Sequence, residues 1–281
     1  MMVMAALTGC MAPSVRVGTY NVRMLDGDVG TDDAWDERKG DLVALVRSLD
    51  LDVFGMQEVT PEQAEYFRNE LPEWSFVGEH READRVSGEA SPVFYRTSRF
   101  EPVKSGTFWL SETPETPGSR SWGTACARVC SYLVLRDRRT DKVFCFANTH
   151  TDHVSAQARE KGMMLIIDRM RQFGAGAPIV FTGDHNCCPS DAPAIAVRKV
   201  LKDARDVSET ADPGPANTYN VFGRHLEGPD FGKGAASGWR IDYIYVSDGV
   251  KVHEFRTVGD RRPGSGLYPS DHFPVIATIE L

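Results

Sequence analysis

Near the start of the chain the pattern of hydrophobic and polar positions changes period twice. Val15, Val17 and Thr19 alternate with Arg16, Gly18 and Tyr20, a period of two that predicts a strand delivering Asn21 at its end. After a polar loop, Leu42, Leu45, Val46 and Leu49 recur at the i, i+3, i+4, i+7 spacing of one helix face. Val53 to Met56 is then a short apolar run, the signature of a buried strand, and it ends at Gln57-Glu58. Thr60, Pro61 and Gln63 match the N-cap, N1 and N3 positions of a capping box and predict a second helix.

The same pattern returns later. Val143 to Ala147 reads as a strand leading into Asn148-Thr149-His150, followed by a helix with Met163, Ile166, Met170 and Phe173 on one face. Ile179 to Phe181 then leads to Gly183-Asp184. Two strand–helix–strand units thus place polar residues where strands end, the edge at which α/β architectures bind ligands. Ser91 to Tyr95, Ala127 to Leu135, Ile241 to Val246, Lys251 to Thr257 and Phe273 to Ile279 read as further strands. The expected fold class is α/β, with two packed sheets flanked by helices. Five glycines between Gly223 and Gly238 predict a long flexible loop, and no low-complexity linker divides residues 15–281, which read as a single domain.

Composition narrows the function. Of 281 residues, 41% are hydrophobic and 26% charged, which excludes disordered, collagenous and coiled-coil chains. The net charge of −8 opposes the basic footprint of a protein that coats nucleic acid, so an anionic ligand must be drawn in locally, by a metal or a small basic pocket. None of the six cysteines forms a CxxC pair, which argues against a zinc ribbon or thioredoxin-type site. Residues 1–14 read either as the remnant of an export signal, since Leu7-Thr8-Gly9-Cys10 resembles a bacterial lipobox, or as a disordered N-terminus in which that match is accidental; the first is favoured. The expectation is an extracytoplasmic lipoprotein anchored through Cys10.

The candidate chemistry lies in polar residues set into apolar strand ends: Asn21, Glu58, His150, Asp184 with Asn186, Asp242, and Asp271 with His272. A lone carboxylate at a strand end is usually a cap or turn former. Four of them after or within apolar runs is different, because an unpaired buried carboxylate costs several kcal/mol, and a divalent cation is the economical partner. A serine acyl-transfer site has little support, since no Gly-x-Ser-x-Gly elbow is present.

Thr19-Tyr20-Asn21, Gln57-Glu58, Asn148-Thr149-His150, Gly183-Asp184-His185-Asn186, Arg240-Ile241-Asp242-Tyr243 and Ser270-Asp271-His272-Phe273-Pro274-Val275 resemble, in order, the motifs of the endonuclease/exonuclease/phosphatase superfamily. The resemblance implies a four-layer α/β/β/α sandwich and metal-dependent, in-line hydrolysis at phosphorus. It implies Glu58 as principal metal ligand assisted by Asn21 and Asp271, with Mg²⁺ or Mn²⁺ as the ion. It further implies Asp184 as general base, Asn186 holding the water or a phosphate oxygen, and His150 and His272 flanking the phosphate. Asp242 would orient His272, and Glu89 would be the acidic partner of His150. Family members carry an aromatic or apolar residue where this chain has His185, which implies a slightly different setting for Asp184. The vicinal Cys187 and Cys188 read as buried small residues.

Substrate is the less legible part. Phe108, Trp109, Trp122, Tyr219, Phe222, Phe231 and Trp239 lie in or beside long loops, where they either stack on a ligand ring or pack the loops onto the sandwich. The leading expectation is a small or lipid-headgroup phosphodiester or phosphomonoester. A nuclease, with Arg136, Arg138 and Arg139 as a local basic cluster, is the alternative, and a non-catalytic binding module on the same fold is the third.

Overall fold

The computed structural model describes residues 13–223 and 239–281; the lipobox at Cys10, Phe231 and the glycine-rich loop after Gly223 lie outside the described residues. Each of the two units read from the sequence forms the centre of one sheet. In the first, β1 (Val15–Asn21) and β2 (Val53–Gln57) pair in parallel, joined by α1 (Trp35–Ser48). In the second, β7 (Val143–His150) and β8 (Ile179–Asp184) pair in parallel, joined by α3 (Ala156–Gly174). The helix α2 (Pro61–Glu70) begins with the expected capping box: Thr60 N donates to Gln63 Oε1 at 3.0 Å, and Gln63 N donates to Thr60 Oγ1.

Antiparallel strands complete both sheets. β3 (Trp74–Val77), β4 (Val93–Arg96), β11 (Lys251–Thr257) and β12 (Val275–Glu280) extend the first, in the order β11-β12-β1-β2-β4-β3. β5 (Phe100–Trp109), β6 (Val129–Asp137), β9 (Lys202–Asp203) and β10 (Asp242–Val246) extend the second, in the order β5-β6-β7-β8-β10-β9. The short helices α4 (Ala192–Arg198) and α5 (Ala204–Val207) follow β8.

Alternation puts one side of each strand into a central core, where Val17, Val53, Leu133, Phe146, Val180, Ile244 and Val275 meet. The opposite faces are covered by helices. Leu42, Val46 and Phe67 cover Phe54 and Met56, while Met163, Ile166 and Met170 cover Ala147, Phe181 and Tyr245. The result is the expected four-layer α/β/β/α sandwich. One polar plug crosses the central core directly behind the strand ends. Asn148 Nδ2 donates to the carbonyls of Met56 (2.7 Å) and Pro92 (3.1 Å), and its Oδ1 accepts from Gln57 Nε2 (2.6 Å) and Thr182 Oγ1 (3.1 Å). The plug requires Gly55, because a Cβ there would lie 2.1 Å from the Asn148 side chain. It locks the two parallel pairs together and fixes how the strand ends of one sheet face those of the other.

Candidate active site

Strand register decides which side chains meet. His150 pairs with Asp184 across β7 and β8, and Asp184 with Asp242 across β8 and β10, so three motif residues stand in one row. Asn21 ends β1 opposite Gln57 of β2, which puts Glu58 beside it. Asp271 and His272 lie just before β12, which runs antiparallel to β1 and so begins at the same edge. Glu58, Glu89, His150, Asp184, Asn186, Asp271 and His272 therefore line one cavity of about 600 Å³, while Asn21 and Asp242 are fully buried behind it, against Asp184 and His272.

Asp184 is the hub. Its Oδ2 accepts from Asn21 Nδ2 at 2.9 Å and lies 3.5 Å from His150 Nε2 and 3.7 Å from His272 Nε2, while Oδ1 accepts from Asn186 N. Burial, reinforced by the Asp242 carboxylate, pushes its pKa up to about 7. Asn21 Nδ2 also donates to Glu58 Oε1 at 2.9 Å, and Met24 N donates to Glu58 Oε2 at 3.0 Å. Asn21 thus bridges the two carboxylates through its amide group, while its Oδ1 accepts from Arg23 N. Asp271 sits 3.7 Å from Arg23 Nη1, its pKa raised by burial and also by Glu58.

The two histidines differ in protonation. His272 Nδ1 donates to Asp242 Oδ2 at 2.8 Å. Burial alone would lower its pKa, but the Asp242 and Asp184 carboxylates overcome this and raise it to about 10, so it is an imidazolium at neutral pH. His150 is held neutral, its pKa pushed well down by burial and by the nearby Arg128. Its Nε2 accepts from Asn186 Nδ2 at 2.9 Å, which leaves the proton on Nδ1. The expected partner Glu89 is 3.9 Å from that nitrogen, beyond hydrogen-bond range; it is instead held by Arg81 Nη1 at 2.7 Å.

Backbone strain gathers at the same place. Glu58 (φ 63°) and Asn186 (φ 46°) both adopt the left-handed conformation, which costs non-glycine residues of order 1–3 kcal/mol and persists where surrounding structure enforces it. Gly183 is needed between them because a Cβ would lie 2.1 Å from the carbonyl oxygen of Thr149.

The donor set fits a hard divalent cation. One ligand atom each from Glu58, His150 and Asp184 lies within 4.8 Å of the others, and the buried Asp184 carboxyl, held at a raised pKa by an acidic neighbour, gains most from a cation beside it. Asp271 and Asn21 adjoin this group.

Several site residues carried no sequence signal of their own. Arg38, fully buried, donates to the carbonyls of Asp33, Val22, Pro269 and Arg23, and so joins the loop after Asn21 to the loop before Asp271. Asp152 accepts from Ala125 N, Thr124 Oγ1, Val154 N and Ser155 N, pinning the loop that precedes β6 against the turn after His150. Only the presence of a carboxylate two residues after His150 could have hinted at the latter.

His185 occupies the aromatic slot that the family resemblance assigns to that position. It stacks on Tyr243 and Tyr245 with ring centroids 5.4 and 5.5 Å away, and neither ring nitrogen makes a hydrogen bond among the described residues. Burial pushes its pKa down to about 3 against a small opposing pull from the Thr182 carbonyl. The neutral ring is therefore favoured in the fold. Stability from this group is fully present above the ordinary histidine range and is lost as pH falls from about 6.5 toward about 3. His185→Phe removes two unsatisfied nitrogens and should be neutral or stabilising at pH 7, and its thermal midpoint should fall less than that of the parent as pH is lowered through this window. Parallel pH curves for the two proteins would refute the assignment.

The loop aromatics divide. Phe108, Trp109 and Phe222 are buried and pack the loops, whereas Tyr219 and Trp239 line the cavity, Tyr219 edge-on to His272 with centroids 5.0 Å apart. Cys187 is buried and Cys188 half-buried, neither in a disulfide. Arg136, Arg138 and Arg139 lie at the far end of β6, away from the site, and two of them are paired with Asp141 and Glu101.

The chain resembles the crystal structure of an endonuclease/exonuclease/phosphatase from Bacteroides vulgatus, with 31% identity over 96% of this chain and 99% of that one and a TM-score of 0.87. It resembles a mannosyl-6-phosphatase from Bacteroides thetaiotaomicron with 30% identity over 95% of this chain and 100% of that one, at a TM-score of 0.82. A TDP2 from D. rerio complexed with single-strand DNA product shares the fold at 17% identity, 95% and 99% coverage and a TM-score of 0.73. No curated protein matches by sequence. With residues 18–272 matching the Endonuclease/Exonuclease/phosphatase family as a whole, and the motif residues gathered at one sheet edge, the chain belongs to that family and is a hydrolase of phosphoesters.

Proposed function

We propose that the chain is a Mg²⁺- or Mn²⁺-dependent phosphatase that removes phosphate from a small polyhydroxylated alcohol. The observation that carries the reading is the convergence of a carboxylate of raised pKa, a cationic histidine and a neutral histidine on one cavity of about 600 Å³, the size of site that suits a small molecule. The likeness to a mannosyl-6-phosphatase supports a sugar-type alcohol, and the position of the Arg136–Arg139 cluster at the opposite end gives no support to a nucleic-acid track.

In this reading Asp184 takes a proton from the attacking water as the new O–P bond forms and the P–O bond to the alcohol breaks, the departing oxygen taking a proton from solvent water. Asn186, whose Nδ2 donates to His150 Nε2 and the Thr151 carbonyl, has its Oδ1 left to accept from the attacking water, and the imidazolium of His272 donates to oxygens that gain charge. Glu58, with Asp271 and Asn21 beside it, would hold the ion, whose chemistry is to neutralise charge on the phosphoryl oxygens and the leaving group. Glu58→Gln should therefore raise the Mg²⁺ concentration needed for half-maximal rate. An unchanged metal titration with only kcat reduced would assign Glu58 another role. The reading as a whole is tested by a panel of sugar monophosphates, phosphodiesters and DNA assayed with Mg²⁺. Sugar monophosphates should be turned over fastest, and preferential cleavage of DNA would replace the reading with a nuclease.

A further inference from the structure

The wall of the cavity beyond His150 is built from three loops and gathers two guanidiniums and an imidazole around one carboxylate, Glu89. Arg81 comes from the loop after β3, Arg128 immediately precedes β6, and His153 follows β7 in the segment His150-Thr151-Asp152-His153. Arg81 is served by two carboxylates, Glu89 Oε2 at 2.7 Å and Glu82 Oε1 at 3.6 Å. Arg128 is not: Glu89 Oε2 is 3.9 Å from its Nη1, and its Nε has no hydrogen-bond partner among the described residues. Its Nη2 donates to His153 Nδ1 at 3.1 Å, since a guanidinium has no acceptor to offer. That contact leaves the His153 proton on Nε2, so His153 too presents a donor.

Arg128 is only 6% exposed, so its charge sits in a largely desolvated position whose carboxylate partner, Glu89 Oε2, is a loose 3.9 Å away. That oxygen is shared between the two guanidiniums, close to Arg81 at 2.7 Å and looser at Arg128. A wall in which Arg81, Arg128 and His153 supply donors around the single carboxylate of Glu89, with the Arg128 Nε unpartnered among the described residues, favours an oxyanion over a plain hydroxyl.

We infer that Arg81, Arg128 and His153 form a second oxyanion subsite, which takes a carboxylate or second phosphate at the far end of a substrate whose scissile phosphate lies between Asp184 and His272. The inference rests on the phosphatase reading for the position of that first phosphate. It narrows the substrate from a sugar phosphate to one bearing a second acidic group. Asp152 is a positioning residue for this wall, since its four hydrogen bonds hold residues 124–125 and 154–155 on either side of it.

Two pairs of compounds isolate the distal group: 6-phosphogluconate against sorbitol 6-phosphate for a carboxylate, and fructose 1,6-bisphosphate against fructose 6-phosphate for a phosphate. The parent protein with Mg²⁺ should prefer the acidic member of at least one pair by about tenfold or more in kcat/KM, the worth of one charge-assisted hydrogen bond. Arg128→Gln should bring that ratio toward one, Arg128→Lys should retain part of it, and His153→Ala, on an exposed side chain, should reduce it without loss of thermal stability. If no compound is hydrolysed, the phosphatase reading fails; the same ratios are then read as dissociation constants by calorimetry, where the subsite still predicts tighter binding of the acidic member. A parent ratio near one in both pairs would overturn the inference. So would an Arg128→Gln variant that weakens both members equally, since Arg128 would then serve the scissile phosphate or the fold.

Discussion

Asp184→Asn is expected to lower kcat by ~10²–10⁴, the usual worth of a general base. Asn keeps the shape but only one acceptor oxygen, so one of the two hydrogen bonds, from Asn21 Nδ2 to Oδ2 or from Asn186 N to Oδ1, is lost together with the proton acceptor for water. In metal-free protein the same substitution trades one hydrogen bond for removal of a buried charge, so its stability relative to the parent should improve as pH rises through about 7. Burial and the Asp242 carboxylate raise the Asp184 pKa in the fold to about 7, above its unfolded value near 3.8. A raised folded pKa means that the fold binds the proton more tightly, so stability is fully present below the unfolded pKa and is lost as pH rises through about 7. The Asn variant lacks that slope. Paired measurements of kcat and of thermal midpoint against pH check both parts; an inactive variant whose stability relative to the parent does not change with pH would point to a structural role.

The second large effect concerns Asp242 and His272. Asp242 opposes the effect of burial on His272 more than any other group and accepts from its Nδ1 at 2.8 Å. Asp242→Asn should reduce kcat by ~10²-fold or more, by removing the charge that keeps His272 an imidazolium and the acceptor that orients it. His272→Ala should cost a similar factor, and the double variant little more, because residues acting as one unit are non-additive. The pH profile separates charge from geometry. Without Asp242 the imidazolium is lost at lower pH, so the ratio of variant to parent activity should rise as pH falls from about 8 to about 6. A flat ratio together with fully additive losses would show that the pair does not act as a unit.

Much of this site was legible because strand periodicity ends where chemistry begins. The alternation of β1 delivers Asn21, the apolar runs of β2 and β8 deliver Glu58 and Asp184, and the capping box of α2 marks where the loop after Glu58 stops. β5 was not legible. Its middle, Glu101 to Ser105, is exposed at a sheet edge and interrupted by Pro102 at a bulge, so it has neither the apolar run of a central strand nor clean alternation. β9 and α5, of two and four residues, are too short to show a period. The arginines of the site were illegible for a different reason. Arg38 and Arg128 act through a carbonyl and a carboxylate far away in sequence, Arg81 through carboxylates of its own loop, and nothing local distinguishes any of them from surface cations. Glu89 shows the same limit: sequence placed it near His150, but its partner was decided by Arg81, a residue of the same loop whose direction only the fold fixes.

The central claim is that this constellation hydrolyses a small phosphoester with the help of a divalent cation. The most direct measurement is release of inorganic phosphate from a sugar monophosphate by metal-stripped protein, first in excess chelator and then on titration with Mg²⁺ or Mn²⁺, with circular dichroism followed in parallel. The account predicts no turnover in chelator, recovery on adding the ion, and an unchanged fold throughout, because Asn21, Glu58, Asp184 and Asp271 are carried on strand ends that the core and the Asn148 plug already hold. Undiminished phosphate release in excess chelator would contradict it.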